Sequence, residues 1–249
     1  MPRYRLTVEY DGGGLVGWQR QDNGPSVQGL LEAAVLPFAG HAAGVVGAGR
    51  TDAGVHALGQ VAHVDLDREF AVGAVRDGLN FWMRHVDDRC PVTVISAERV
   101  DDSFHARFSA TGRRYRYRIL NRRPPPTLEA GRAWWVARPL DAGAMQEAAL
   151  VLVGHHDFST FRAVNCQARS AFKTLDRLEV CRLGEEIEIF AAARSFLHHQ
   201  VRNMVGSLKL VGEGRWSAGD IKRILAARDR RQGGPTAPPE GLYLTDVVY

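Results

Sequence analysis

The feature that most restricts the fold is a succession of hydrophobic periods that occurs twice. Arg3 to Tyr10 sets Tyr4, Leu6, Val8 and Tyr10 against Arg3, Arg5, Thr7 and Glu9, the two-residue alternation of a half-buried strand. Asp11-Gly12-Gly13-Gly14 breaks it. Ser26 can then cap a helix carrying Leu30, Leu31, Ala34 and Val35, with a stop expected near Pro37. Short strands are expected over 43–48 and 60–66, a helix over 69–83 and a strand over 92–100. The second pass begins at Arg113 to Leu120, where arginines alternate with Tyr115, Tyr117 and Ile119. A helix follows from Asp141, apolar at Met145, Ala148, Ala149 and Leu152 and ended by Gly154, then strands over 171–181 and 186–193. A helix over 199–211, a short helix opened by a Ser217-x-x-Asp220 capping box, and a strand over 242–248 complete the pass. Each pass reads β-α-β-β-α-β, the split ferredoxin-like order. The expected class is therefore α/β in the α+β sense, with two ferredoxin-like domains, residues 1–104 and 105–249, meeting near 101–110. Mainly antiparallel sheets with helices on one face leave the other face open to a partner.

Composition narrows the function. Apolar residues make up 45% and charged residues 24% of the 249, the proportions of an ordered globular chain. No apolar run approaches a membrane span and no basic-then-apolar leader opens the chain, so a cytoplasmic protein without membrane contact is expected. Cys90, Cys166 and Cys181 include no CxxC pair, which argues against a disulfide framework and suits a reducing compartment. Among 32 basic residues only Lys173, Lys209 and Lys222 are lysines. Arginine is the side chain that grips phosphate in two-point fashion and stacks on bases. Ser103 to Arg123 holds seven arginines and no Asp or Glu, which points to a polyanionic partner.

The densest run of glycines and polar residues is Gly47 to His63, between two expected strands. Its Gly-x-Gly lacks the further spaced glycine of a dinucleotide fold, and no Gly-Lys-Ser/Thr follows. Asp52 within it reads either as an Asx-turn residue or as a reactive carboxylate kept ionised by nearby Arg50. Arg50 itself suits a structural salt bridge and a phosphate contact equally. Asp52, His56 and His63 match no metal-ligand spacing, and no metal is expected. His155-His156-Asp157 and His198-His199 read as turn or cap residues. No Ser-His-Asp arrangement or nucleophile elbow is present. In His105 to Ile119, tyrosines between arginines offer stacking rings flanked by phosphate donors, or core residues backed by a wet arginine face. Arg202 and Asn203 form a polar patch on an apolar helix. A buried arginine there needs an anion, for which Asp52 is a candidate.

Several separate motifs then fall into a known order. Tyr10-Asp11-Gly12, Gly17-Trp18-Gln19-Arg20-Gln21, Gly49-Arg50-Thr51-Asp52-Ala53-Gly54-Val55-His56-Ala57, Phe104-His105-Ala106-Arg107-Phe108, Arg114-Tyr115-x-Tyr117, Phe158-x-x-Phe161, His199-x-x-Arg202-Asn203-x-Val205-Gly206 and Glu240-Gly241-Leu242-Tyr243-Leu244 resemble the tRNA pseudouridine synthase A family from Tyr4 to Tyr249. The resemblance implies two domains of similar topology whose sheets join across a central basic cleft, assembled as a homodimer. It implies conversion of uridines 38, 39 and 40 of the tRNA anticodon arm to pseudouridine, with no metal or organic cofactor. By the matched motifs, Asp52 takes the catalytic aspartate's place and Arg202 that of the arginine paired with it. Tyr115 matches the residue stacked on the base, Arg50 the phosphate-side arginine and Leu242 an apolar residue beside the base. Arg20, Arg107, Arg113, Arg114 and Arg116 are candidate contacts to the RNA backbone. Where the family pattern reads Leu-Asn-x-x-Leu-Pro, this chain has Leu79-Asn80-Phe81-Trp82-Met83-Arg84, which leaves the exit of that helix open. The competing readings are a non-catalytic RNA-binding module and a metal-dependent hydrolase built on Asp52, His56 and His63.

Overall fold

The computed structural model describes all 249 residues. In chain order the elements are β1 (Arg3–Tyr10), α1 (Val27–Ala39), β2 (Val45–Gly47), β3 (His56–Asp65), α2 (Val72–Val86), β4 (Val92–Val100), β5 (Gly112–Leu120), β6 (Trp134–Trp135), α3 (Ala142–Leu150), β7 (Gly154–Asp157), β8 (Phe172–Leu183), β9 (Glu186–Ala193), α4 (Gln200–Gly212), α5 (Ala218–Ala227) and β10 (Leu242–Val248). The class is α+β, with mixed but mainly antiparallel pairing. Contacts divide the chain into two units, Met1–Thr111 with Tyr243–Tyr249, and Gly112–Leu242. No helix is long and apolar enough to cross a membrane.

In the first unit β1 lies between β3 and β4, antiparallel to both, with Leu6 opposite Ala62 and Ala97. Its alternation buries Tyr4, Leu6 and Val8 completely. Val27, Leu31 and Val35 of α1 and Val75, Leu79 and Met83 of α2 are buried with them, at the three- and four-residue spacing of a helical stripe. Burying each such side chain contributes about 1.5–3 kcal/mol. The far edge of β3 is shared by two short partners. β2 pairs antiparallel at Ala62–Val64, and β10 pairs parallel at His56 and Ala57. Loop 48–55 leaves that edge between them.

Three helix boundaries differ from the sequence reading, each for a local reason. α1 continues through Pro37, because a proline in the last turn forfeits a single N–H bond, and stops where Gly40 takes a left-handed φ of 81° and its N–H donates to the Leu36 carbonyl at 2.9 Å. α2 starts at Val72 and not at Glu69. The Tyr4 hydroxyl accepts from the Phe70 N–H at 2.7 Å and donates to the Phe70 carbonyl at 2.8 Å, which holds that residue outside the helix. At its other end α2 runs past Met83 to Val86, since Arg84 supplies the backbone N–H that a proline lacks.

In the second unit β5 pairs antiparallel with β9, β9 with β8 and β8 with β7, while β6 adds a short parallel pairing to β5. Tyr117 and Ile119 of β5 are fully buried, and the turn after β7 buries Phe158 and Phe161. On the opposite face of β5, Arg116 meets Glu188 at 3.1 Å, and Arg118 grips Glu186 with two donors and Glu129 at 2.8 Å. His155-His156-Asp157 lies in strand β7, where a turn or cap was expected. Asp157 still behaves as a cap, accepting from the N–H of Ser159 at 2.9 Å. The Ser217–Asp220 capping box is formed in both directions.

Asn80 links α2 to β4: its Nδ2 donates to the Val94 carbonyl at 2.9 Å and its Oδ1 accepts from the Val94 N–H at 2.8 Å. Replacing Asn80 by alanine strands both backbone groups, so Asn80→Ala is expected to lower unfolding free energy by about 2 kcal/mol. Urea titration checks this; an unchanged midpoint would show that the pair carries no net stability.

Candidate active site

Asp52 sits in the loop between β2 and β3. Its carbonyl accepts from the Val55 N–H at 3.2 Å, and Gly54, at φ 77°, supplies the left-handed residue of a type II turn. The turn is held from outside by backbone placed very close to it. A Cβ on Gly17, whose φ is 105°, would lie 2.5 Å from the Thr51 carbonyl oxygen, and one on Gly12 only 2.2 Å from that of Val55. Trp18 donates its backbone N–H to the Thr51 carbonyl at 3.1 Å and lays its indole over Gly47, where a Cβ would come within 2.4 Å of the ring. The Thr51 hydroxyl pairs with that of Tyr10 at 2.8 Å. Burial pushes the Tyr10 phenol up to about 12, against smaller opposing effects of its hydrogen bonds to Thr51 and Gln60, so it stays protonated. Gln60, fully buried, donates to the Gly49 carbonyl at 2.9 Å. Asp52 is thus half-buried on a loop whose neighbours are fixed. Tyr10, Gly12, Gly17, Trp18 and Gln60 are the residues that reading for chemistry overlooked. The first four had no signal beyond membership of the quoted motifs, and Gln60 none beyond its place in the glycine-rich run.

Arg50, on the same loop, is exposed and has no carboxylate at salt-bridge distance. Arg20 is exposed and meets Glu32 at 3.1 Å. Arg107 is exposed, its guanidinium 5.8 Å from the ring centre of Phe108. The backbone beside it is anchored: Ala106 is buried, and its carbonyl accepts from the Tyr249 hydroxyl at 2.7 Å.

The two histidines proposed as metal ligands do not converge. His56 and His63 both belong to β3, seven residues apart, and even with the bulge that β3 carries between Ala57 and Gln60 they stand roughly 20 Å apart along the strand, too far to share an ion. Each is also engaged. His56 Nδ1 accepts from the Gly12 N–H at 3.0 Å and its ring stacks on Tyr243, while His63 Nδ1 accepts from the Ala106 N–H at 3.2 Å. That separation and these hydrogen bonds argue against the hydrolase built on Asp52, His56 and His63.

In the second unit Tyr115 is half-buried on β5 opposite Ala191, with Phe196 edge-on at 5.2 Å. Arg113 donates to the Arg194 carbonyl at 2.7 Å, Arg114 is exposed, and Arg116 is engaged with Glu188 as described. Arg202 lies in the first turn of α4, its Nε donating to the Ala237 carbonyl at 2.8 Å, while the Ala237 N–H donates to the Arg202 carbonyl at 3.1 Å. His199, just before α4, holds a left-handed φ of 63°, an uncommon state for a residue with a side chain. Leu242 is buried at the start of β10, directly after a single 3-10 turn, Pro239–Gly241.

With these positions in place, comparison with known proteins defines first a class. A family of tRNA pseudouridine synthases matches residues 148–249. Over all 249 residues the chain is 64% identical to the tRNA pseudouridine synthase A of Paramagnetospirillum magneticum, covering 96% of that protein. It is 61% identical to those of Rhodospirillum rubrum and Rhodospirillum centenum, covering 88% and 100% of them. The chain belongs to the tRNA pseudouridine synthase A family.

One titration follows from the environment of β3, the strand that follows the Asp52 loop. Burial, with smaller contributions from the charges of Arg3 and His105 and an opposing one from Asp65, lowers His63 from an ordinary 6.5 to about 4. Between those values the unfolded chain binds a proton that the folded chain does not, so stability falls as pH drops from 6.5 to 4. His63→Gln is expected to remove about 1–3 kcal/mol of that acid-side loss. Urea midpoints at pH 7 and 4.5 check this; parallel profiles for both proteins would assign the loss elsewhere.

Proposed function

We propose that the chain isomerises uridine to pseudouridine at positions 38, 39 and 40 of the tRNA anticodon arm, with Asp52 as the catalytic carboxylate and no metal or organic cofactor. The observation that carries this reading is identity of 56–64% with tRNA pseudouridine synthases A along the entire chain. The braced loop around Asp52 supports it physically. In the same reading the chain comprises two ferredoxin-like domains, 1–104 and 105–249, whose sheets join across a basic cleft, although contacts group 105–111 and 243–249 with the first unit. The β4-β1-β3 order, with β2 on the outer edge of β3, supports that topology for the first. A cytoplasmic homodimer acting on the tRNA anticodon stem-loop completes it.

The chemistry requires little machinery. The N1–C1′ bond breaks, the uracil turns, C5 bonds to C1′, and the C5 proton is lost while N1 gains one, so no atoms are gained or lost. A carboxylate serves each route to this product, as a nucleophile at C1′ or C6 or as a base at C2′, and again as the base for C5. Arg202 is the counter-charge that keeps Asp52 ionised and oriented. Tyr115 offers a ring face to the detached uracil, with Leu242 as an apolar wall. Arg50, free of an internal carboxylate, suits a phosphate, and exposed Arg107 and Arg114 suit further backbone contacts, whereas Arg20, Arg113 and Arg116 would serve as such contacts only by giving up Glu32, the Arg194 carbonyl and Glu188. Extruding the base from its stack costs a few kcal/mol, which arginine–phosphate contacts offset.

Asp52→Asn is expected to abolish pseudouridine in uridine-containing tRNA, mapped chemically with EDTA present, while tRNA binding persists. Wild-type product from Asp52→Asn would remove the assignment, and tight salt-dependent binding without product from the wild type would favour the RNA-binding module. Tyr115→Phe should slow turnover less than Tyr115→Ala, because the ring face carries the stacking. Equal losses would transfer the role to the hydroxyl.

A further inference from the structure

Segment 233–237 contains two adjacent glycines, yet it is pressed onto α4. A Cβ on Gly206 of the helix would lie 1.7 Å from the Pro235 carbonyl oxygen, and one on Gly234 would lie 2.7 Å from the Ser207 Cα. The Gly234 N–H donates to Ser207 Oγ at 3.1 Å. The segment is closed by Arg230, whose guanidinium donates to the Gly234 carbonyl at 2.9 Å, to Asn203 Oδ1 at 3.1 Å and to Thr236 Oγ1 at 3.1 Å. Thr236 Oγ1 in turn donates to Asn203 Oδ1 at 2.7 Å, and Asn203 Nδ2 to the Phe161 carbonyl at 2.8 Å. All of these acceptors are neutral, so this cation is not held as half of an ion pair. Burial accordingly lowers Arg230 from the ordinary arginine value. A cation placed there at a desolvation cost calls for a return, and the return is geometric.

We propose that Arg230 is a positioning residue for Arg202. By tying Gly234, Thr236 and Asn203 together it fixes the Ala237 carbonyl, which takes the Nε–H of Arg202. A guanidinium is planar and rigid, so one fixed N–H sets the direction of the other four. The clasp thereby aims Arg202 at the anion it serves. The proposal rests on the reading of Arg202 as the counter-charge of Asp52.

The test compares Arg230→Lys, Thr236→Val, Arg202→Ala, Arg202→Lys and the double variant Arg202→Lys/Arg230→Lys. Single-turnover pseudouridine formation at saturating unmodified tRNA, tRNA Kd and thermal midpoint are measured for each. Arg230→Lys keeps the charge but not the three-way grip, and Thr236→Val keeps the volume but not the hydroxyl. Each is expected to slow the single-turnover rate about ten- to a hundredfold with tRNA Kd near wild type. Arg230→Lys should cost nothing more in the Arg202→Lys background, where there is no Nε to aim. Wild-type rates in the folded single variants, an additional full loss in the double variant, a wild-type rate in Arg202→Lys, or an effect confined to Kd and its salt dependence would each overturn the proposal. If Arg230→Lys fails to fold, Thr236→Val decides by the same rate and Kd. A wild-type rate in Arg202→Ala would instead remove the reading of Arg202 itself, whereas a loss there beside normal Arg230→Lys and Thr236→Val removes the clasp alone.

Discussion

The loop around Asp52 has few large side chains of its own, so its rigidity must be imposed by its surroundings. It is imposed by backbone lying against backbone: Gly12 on Val55, Gly17 on Thr51 and Asp52, and the Trp18 indole on Gly47. A Cβ at Gly12 or Gly17 would collide with backbone that cannot rotate away, and one at Gly47 with the buried Trp18 ring, which is why glycine stands there. The Tyr10–Thr51 hydroxyl pair adds a directional bond in a buried setting, where losing one partner would expose the other to the full cost of desolvation. A carboxylate needs this support more than most groups do, because it acts at a fixed point and because its ionisation depends on where its neighbours are.

The second unit uses the same device with different parts. Gly206 allows the 233–237 segment to lie directly on α4, and polar side chains of the helix, Asn203 and Ser207, take up its hydrogen bonds. In both units a glycine permits the approach and a buried polar side chain makes it specific. The arginines of β5 divide along similar lines. Arg116 and Arg118 lie in ion pairs along the sheet face, and exposed Arg50 of the first unit has no such partner. Abundance of arginine in a sequence therefore overstates how many are available to a polyanion.

Several strands were readable to the residue: 3–10, 92–100, 186–193 and 242–248 coincide with β1, β4, β9 and β10, the alternation being strict in β1 and β9. Elements decided by distant partners were not. Nothing near Glu69 reveals that Tyr4 will take both backbone groups of Phe70, and the four-residue β7 carries too few alternations to register. At the site, glycine density singled out the Asp52 loop, but its braces act from residues 10–18 and 60 through contacts that no local pattern records. The spacing of Asp52, His56 and His63 left a metal conceivable until the extended strand β3 held the two histidines far apart along its length. Asn203 was visible as a polar residue on an apolar helix, whereas its partners Arg230 and Thr236 lie in a stretch that reads only as turns.

The pairing of β10 with β3 also sets a timetable. Tyr243 and Leu244 complete the edge of β3 at His56 and Ala57, and the Tyr249 hydroxyl closes on Ala106 across 143 residues of sequence. The ribosome therefore delivers the whole second unit before it delivers the strand that the first unit is waiting for. During synthesis the first unit must persist with that edge unfilled, and strand edges of this kind are where nascent chains find wrong partners. Closure of the loop-bearing unit thus waits until the second unit has been made and does not accompany the emergence of Asp52.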